Sequence, residues 1–173
     1  MEKIKIILFV MDGCLVNYTN KPYHSSWDAI AQALPDEKKE RWFKIRDFYV
    51  KQKYIYKELF NEQCSLLKGL SQIAAEETLF PIPYSKGAEQ FFLSLDNKYI
   101  KGIVSSGIDI VAKRAKEELK FDFFISNILN IEHNSFNGQG IEIIGIEEKA
   151  KKVREISINY NIPLKSICFI GDN

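Results

Sequence analysis

No run of apolar residues in this sequence approaches the roughly 18 or more that a membrane-spanning helix needs, so the chain is not expected to cross a membrane. The opening MEKIKIILFV is apolar, but it ends at Asp12 without a small-residue cleavage site and reads as a buried first strand rather than a leader. Charge of one sign is not in excess either. The 24 basic and 23 acidic residues are interspersed and leave a formal net charge of +1, which gives no basic face for nucleic acid. Cysteine is scarce: Cys14, Cys64 and Cys168 follow no metal or redox spacing, and such free thiols suit a reducing compartment, the cytoplasm. Only two histidines are present, and His24 and His133 both read as loop residues.

What the sequence does have is the composition of a globular protein, 46% hydrophobic and 27% charged across 173 residues. That length suits one domain with a real core, or a core carrying a small insertion. Ile4 to Val10 is a β-branched-rich run that stops at Asp12-Gly13, as a strand buried on both faces does. From Ser25 to about Glu77 the apolar residues fall at helical spacing (Trp27, Ile30, Leu34, then Trp42, Ile45, Phe48, then Leu59, Cys64, Leu67), which predicts three or four short helices without a strand. After Pro81 and Pro83 the pattern alternates. A helix is expected over Gly87–Leu95, a strand over Ile100–Ser105, a helix over Ile108–Leu119 and a strand over Phe123–Ser126. Ile128–His133 and Gly140–Ile144 then read as a hairpin about Asn134-Ser135-Phe136-Asn137-Gly138, followed by a helix over Glu147–Tyr160 and a last strand over Ser166–Ile170.

This order predicts an α/β fold, a doubly wound parallel sheet, in which ligands bind outside the carboxyl ends of the strands. Three polar clusters fall at those ends: Asp12-Gly13, Ser105-Ser106-Gly107 and Gly171-Asp172.

Phe9-Val10-Met11-Asp12-Gly13-Cys14-Leu15, Val104-Ser105-Ser106-Gly107, Lys149 and Phe169-Ile170-Gly171-Asp172 together resemble the four ordered motifs of the haloacid dehalogenase superfamily. Tyr56 to Leu70 and Val104 to Asp109 look like the helical cap and second motif of its phosphoserine phosphatases, and Ser25-Ser26-Trp27 is similar to archaeal phosphoserine-phosphatase-like proteins. The resemblance implies a Rossmann-like core over residues 1–18 and 80–173 with a helical cap over 19–79. It also implies hydrolysis of a phosphorylated small molecule through an aspartyl-phosphate with Mg2+ as cofactor. On this basis Asp12 is the general acid and base and a metal residue, and Asp172 is a metal ligand. Ser105, Ser106, Gly107 and Lys149 hold the phosphoryl group, while Thr19, Tyr56 and Gln63 stand at the cap positions that contact substrate.

The sequence departs from the family at three places. Two residues before Asp12 the attacking aspartate is replaced by Val10, whose branched methyls match its volume but neither attack phosphorus nor ligate a metal. Loss of a nucleophile commonly costs on the order of a million-fold in rate, and removing a hard carboxylate weakens magnesium binding. The expectation is therefore an impaired phosphatase or, alternatively, a silent pseudophosphatase that binds a phosphorylated small molecule. Second, Thr19 and Gln63 stand where the family carries a glutamate and an arginine, so a phosphoserine zwitterion would leave its charges unmatched. Third, the family's further acidic residue, helix and strand beyond Asp172 are missing, and the chain is expected to be a fragment or a short form.

Overall fold

The computed structural model describes residues 3–18, 25–51, 56–95 and 97–171. Five strands form one sheet in the order β4-β3-β2-β1-β5, with β1 at Ile6–Phe9, β2 at Ile100–Ile108, β3 at Phe123–Glu132, β4 at Ser135–Ile141 and β5 at Ile167–Ile170. The pairs β1/β2, β1/β5 and β2/β3 are parallel, and β4 runs antiparallel to β3. Helices connect the parallel strands, so the expected α/β architecture is what the chain adopts. Between β1 and β2 lie α1 (Ser26–Ile30), α2 (Asp36–Val50), α3 (Tyr56–Leu67), α4 (Gln72–Leu79) and α5 (Ala88–Ser94). Helix α6 (Asp109–Leu119) joins β2 to β3, and α7 (Lys149–Asn159) leads to β5. None of the helices among the described residues is long and apolar enough to cross a membrane.

The strand period of two explains why the first strand is apolar throughout. Ile6 and Leu8 point into a core with Val104, Ile144 and Ile156 of α7, whereas Ile7 and Phe9 point into the larger core on the other face. That core includes Val111, Ala112, Ala115 and Leu119 of α6 and reaches Trp27, Trp42 and Phe60 of the helical segment.

Two boundaries differ from the sequence expectation. Phe123–Ser126 and Ile128–His133 form one continuous strand, and the hairpin turns at His133-Asn134, both with positive φ (49° and 60°), so Ser135–Ile141 is strand rather than loop. Two consecutive left-handed residues make the tight turn whose twist suits a hairpin. Strand β2 also continues past Ser105 to Ile108, with a register irregularity against β3 between Val104 and Ile108. Such an irregularity re-aims the chain at the end of a strand.

Gly102 is a point of close approach within the sheet. A Cβ there would lie 2.6 Å from Phe123 Cε2 and 2.9 Å from Leu8 Cδ2. Gly102→Ala is therefore expected to cost about 1–3 kcal/mol by overpacking, read as a lower urea midpoint at unchanged slope.

Candidate active site

The loop after β1 meets the carboxyl-terminal end of β2 directly. A Cβ on Gly107 would stand 2.6 Å from Asp12 Oδ2 and 3.1 Å from Ser26 Oγ, so only glycine lets the end of β2 approach the first loop this closely. Asp12 itself is half-buried and held by the start of α1: the Ser26 N–H donates to Oδ1 (2.8 Å) and the Ser26 hydroxyl to Oδ2 (2.7 Å). Ser25 caps that helix, accepting from the Asp28 N–H at 3.3 Å, which fixes Ser26 in the first turn. The carboxylate of Asp12 is thus oriented at both oxygens. Its negative charge, after burial, helps to push the Tyr18 hydroxyl pKa up, so that phenol stays protonated and donates to the Leu79 carbonyl at 3.2 Å.

Val10 is 4% exposed, and its N–H donates to the Ile170 carbonyl at 2.9 Å. Its Cγ2 lies 3.0 Å from where a Cβ on Gly171 would be, so the valine fills the space between the ends of β1 and β5.

Ser105 is 2% exposed and accepts from the Gly107 N–H at 3.2 Å. The neighbouring Ser106 carbonyl takes donors from three elements: Trp27 Nε1 (3.0 Å), the Tyr56 hydroxyl (2.9 Å) and Asn127 Nδ2 (3.0 Å). Asn127 is wholly buried on β3. Its two amide hydrogens are shared among the Ser106 carbonyl, the Tyr56 hydroxyl (2.9 Å) and the Ile144 carbonyl (3.1 Å), and its oxygen accepts from the N–H groups of Ile143 (2.8 Å) and Ile144 (3.0 Å). Burial first, then the Glu142 carboxylate, hold the Tyr56 pKa well above the ordinary phenol range. Lys149 is half-buried in the first turn of α7, the helix that runs back across the sheet before β5, which puts its start at the carboxyl ends of the strands. Among the described residues the side chain of Lys149 has no hydrogen-bond or ion-pair partner, and the same holds for that of Gln63, which is 4% exposed in α3. Thr19 and Asp172 lie outside the described residues.

In the sequence Ser25-Ser26-Trp27 carries a family resemblance but no assigned role, Trp27 falls in an apolar helical pattern, and Asn127 is not singled out. Trp27 does pack, against Trp42 and Phe60 at centroid distances of 6.1 and 5.7 Å, but its indole N–H also reaches the end of β2. The sequence signal for Asn127 was a polar residue inside an apolar strand, which has to find partners.

A tightly held magnesium ion needs several hard oxygen donors. Among the described residues no group of three or more His, Cys, Asp and Glu side chains is placed to hold a metal ion; Val10 offers only carbon, and both Asp12 oxygens accept from Ser26. By themselves the described residues do not complete a site for the ion, and Asp172 lies outside them.

No protein-family model matches the chain. A phosphoserine phosphatase of Archaeoglobus fulgidus is 34% identical over 119 residues, 68% of this chain and 35% of that protein. A solved structure of a phospho-aspartyl intermediate analogue of phosphoserine phosphatase superposes with a TM-score of 0.81 at 27% identity, covering 99% of this chain and 79% of the other. The chain is homologous to phosphoserine phosphatases. A substrate-bound phosphoserine phosphatase superposes equally well, with a TM-score of 0.81 and 27% identity over 100% of this chain and 80% of the other. The α/β fold is accordingly that of the haloacid dehalogenase phosphatases. The matched stretch spans about a third of the length of the Archaeoglobus relative.

Proposed function

We propose that this chain is a phosphatase-type domain that holds a phosphorylated small molecule at the carboxyl ends of β1, β2 and β5 and hydrolyses it poorly, because Val10 closes the covalent route. The observation that carries this reading is the meeting of Asp12, Ser26 and Gly107 beside a buried valine. In the reading, residues 19–79 form a helical cap over a core of residues 1–18 and 80–173. Ser105, Ser106, Gly107 and Lys149 hold the phosphoryl oxygens, the half-buried lysine supplying charge that no described carboxylate neutralises. In the reading Asp12 moves a proton to or from a leaving oxygen, and none of the described residues at the end of β1 supplies a group to attack phosphorus. Magnesium, the cofactor such hydrolysis calls for, binds weakly, with Asp12 and Asp172 as its remaining carboxylates. Thr19 and Gln63 do not supply the paired charges that would select phosphoserine, so the ligand is a different phosphate ester. Cys14, Cys64 and Cys168 form no disulfide, which agrees with a cytoplasmic setting.

The test is binding of inorganic phosphate by calorimetry beside hydrolysis of an aryl phosphate with magnesium. The expected result is measurable phosphate binding with turnover near background. Ser105→Ala is expected to weaken phosphate binding by about ten- to a hundredfold, the worth of a hydrogen bond to a charged group. Brisk magnesium-dependent turnover by the unaltered chain, or no phosphate binding at all, would overturn the reading.

A further inference from the structure

A trans peptide sets its C=O and N–H antiparallel, so whatever fixes the Ser106 carbonyl also aims the Gly107 N–H. Three donors fix that carbonyl, one more than its two lone pairs ordinarily take. The Gly107 N–H consequently meets Ser105 Oγ at 3.2 Å. The serine oxygen then acts as acceptor, and among the described residues nothing accepts its proton. A 2%-exposed hydroxyl with its proton unassigned is ready to donate to an anion.

Two of the three donors, Trp27 of α1 and Tyr56 of α3, belong to the helical segment between β1 and β2, while Ser106 belongs to the sheet. The seating of that segment and the orientation of the end of β2 are therefore one event. We propose that Tyr56 is a positioning residue for the phosphate-holding end of β2: its hydroxyl, seated on the Ser106 carbonyl with Trp27 and Asn127, aims the Gly107 N–H at Ser105 Oγ and leaves the serine proton for a phosphoryl oxygen. The role of Tyr56 rests on the phosphate-binding reading above and adds to it a coupling between helical segment and strand end. It also gives a reason for tyrosine here: a phenylalanine ring would pack as well on α3 but would hold the carbonyl with two donors in place of three.

The experiment uses Tyr56→Phe, which keeps the ring, and Trp27→Phe as an independent second variant. Two readouts are taken on the full chain: affinity for inorganic phosphate, and amide hydrogen exchange at Gly107 without ligand. Tyr56→Phe is expected to weaken phosphate binding by about three- to tenfold, the net worth of one hydrogen bond, and to speed exchange at Gly107. In a Ser105→Ala background the same substitution is expected to cause no further loss of affinity, because Tyr56 acts through the serine. Equal, additive loss with and without Ser105 would overturn the positioning role while leaving phosphate binding in place, as would unchanged exchange at Gly107 in both variants. Failure of the unaltered chain to bind phosphate would overturn the phosphate reading and this role with it, even if Gly107 exchange still responded.

Discussion

Val10→Asp is expected to raise magnesium-dependent hydrolysis of an aryl phosphate by at least about a thousandfold over the unaltered chain, a part of the roughly million-fold that a lost nucleophile costs. The backbone at residue 10 is already fixed, with its N–H on the Ile170 carbonyl at 2.9 Å, so a carboxylate built there leaves the end of β1 from a defined point. Asp12 is oriented at both oxygens by Ser26 and does not need to be reorganised to serve as acid and base. The substitution is also expected to change stability. Val10 is 4% exposed and packs toward Gly171, and a carboxylate in that place loses water without a described positive partner. Unfolding free energy should drop by about 2–4 kcal/mol without metal and recover as magnesium is added, since an ion bound only by the folded state stabilises it. Calorimetry beside denaturation separates the outcomes. Equal magnesium affinity in both forms would mean that residue 10 is not the nucleophile position, whereas tighter magnesium without turnover would place the defect elsewhere in the site.

The parts of this site that the sequence made legible are those governed by local chemistry. The run from Ile4 to Val10 announces a strand buried on two faces, and Ile6/Leu8 against Ile7/Phe9 divide between two cores as a period of two requires. Asp12-Gly13 and Ser105-Ser106-Gly107 read as loops at strand ends; the second is instead the last part of β2, and the two segments do meet. What stayed hidden depends on pairing across long separations. The extension of β2 to Ile108 exists because β3 lies beside it with a shifted register, and nothing between Val104 and Ile108 states where that neighbour will be. The hairpin turn was displaced because Asn134, Asn137 and Gly138 all carry turn chemistry, and the pairing of Glu132 with Ser135 decides among them. Ser26 and Trp27 acquire their roles only once α1 is set against the sheet, 79 residues in sequence from Ser106 in the case of Trp27.

Asn127 shows how far one such hidden residue reaches, and Asn127→Ala is expected to be among the most destabilising single changes in the protein, by about 3–5 kcal/mol. The alanine itself is small enough to fit. The cost arises from what it abandons: the N–H groups of Ile143 and Ile144, of which Ile144 is wholly buried, lose their acceptor, and the carbonyls of Ser106 and Ile144 lose a donor. Each buried polar group left unpaired costs about 1–3 kcal/mol before relaxation. Asn127→Asp sharpens the test, because it preserves shape and the acceptor for Ile143 and Ile144 but sets a carboxylate oxygen against two carbonyls. The aspartate form should therefore be no more stable than the alanine form at neutral pH, although it is the closer match in volume. Urea denaturation of the three proteins decides this, and a loss below about 1 kcal/mol for both variants would mean that water substitutes for the amide. Because Ile144 precedes Gly145 and the turn into Lys149, whatever loosens at Asn127 loosens both the end of β2 and the start of α7. Phosphate affinity in the alanine form should accordingly fall further than in Ser105→Ala, which removes only one of the groups that Asn127 keeps in place.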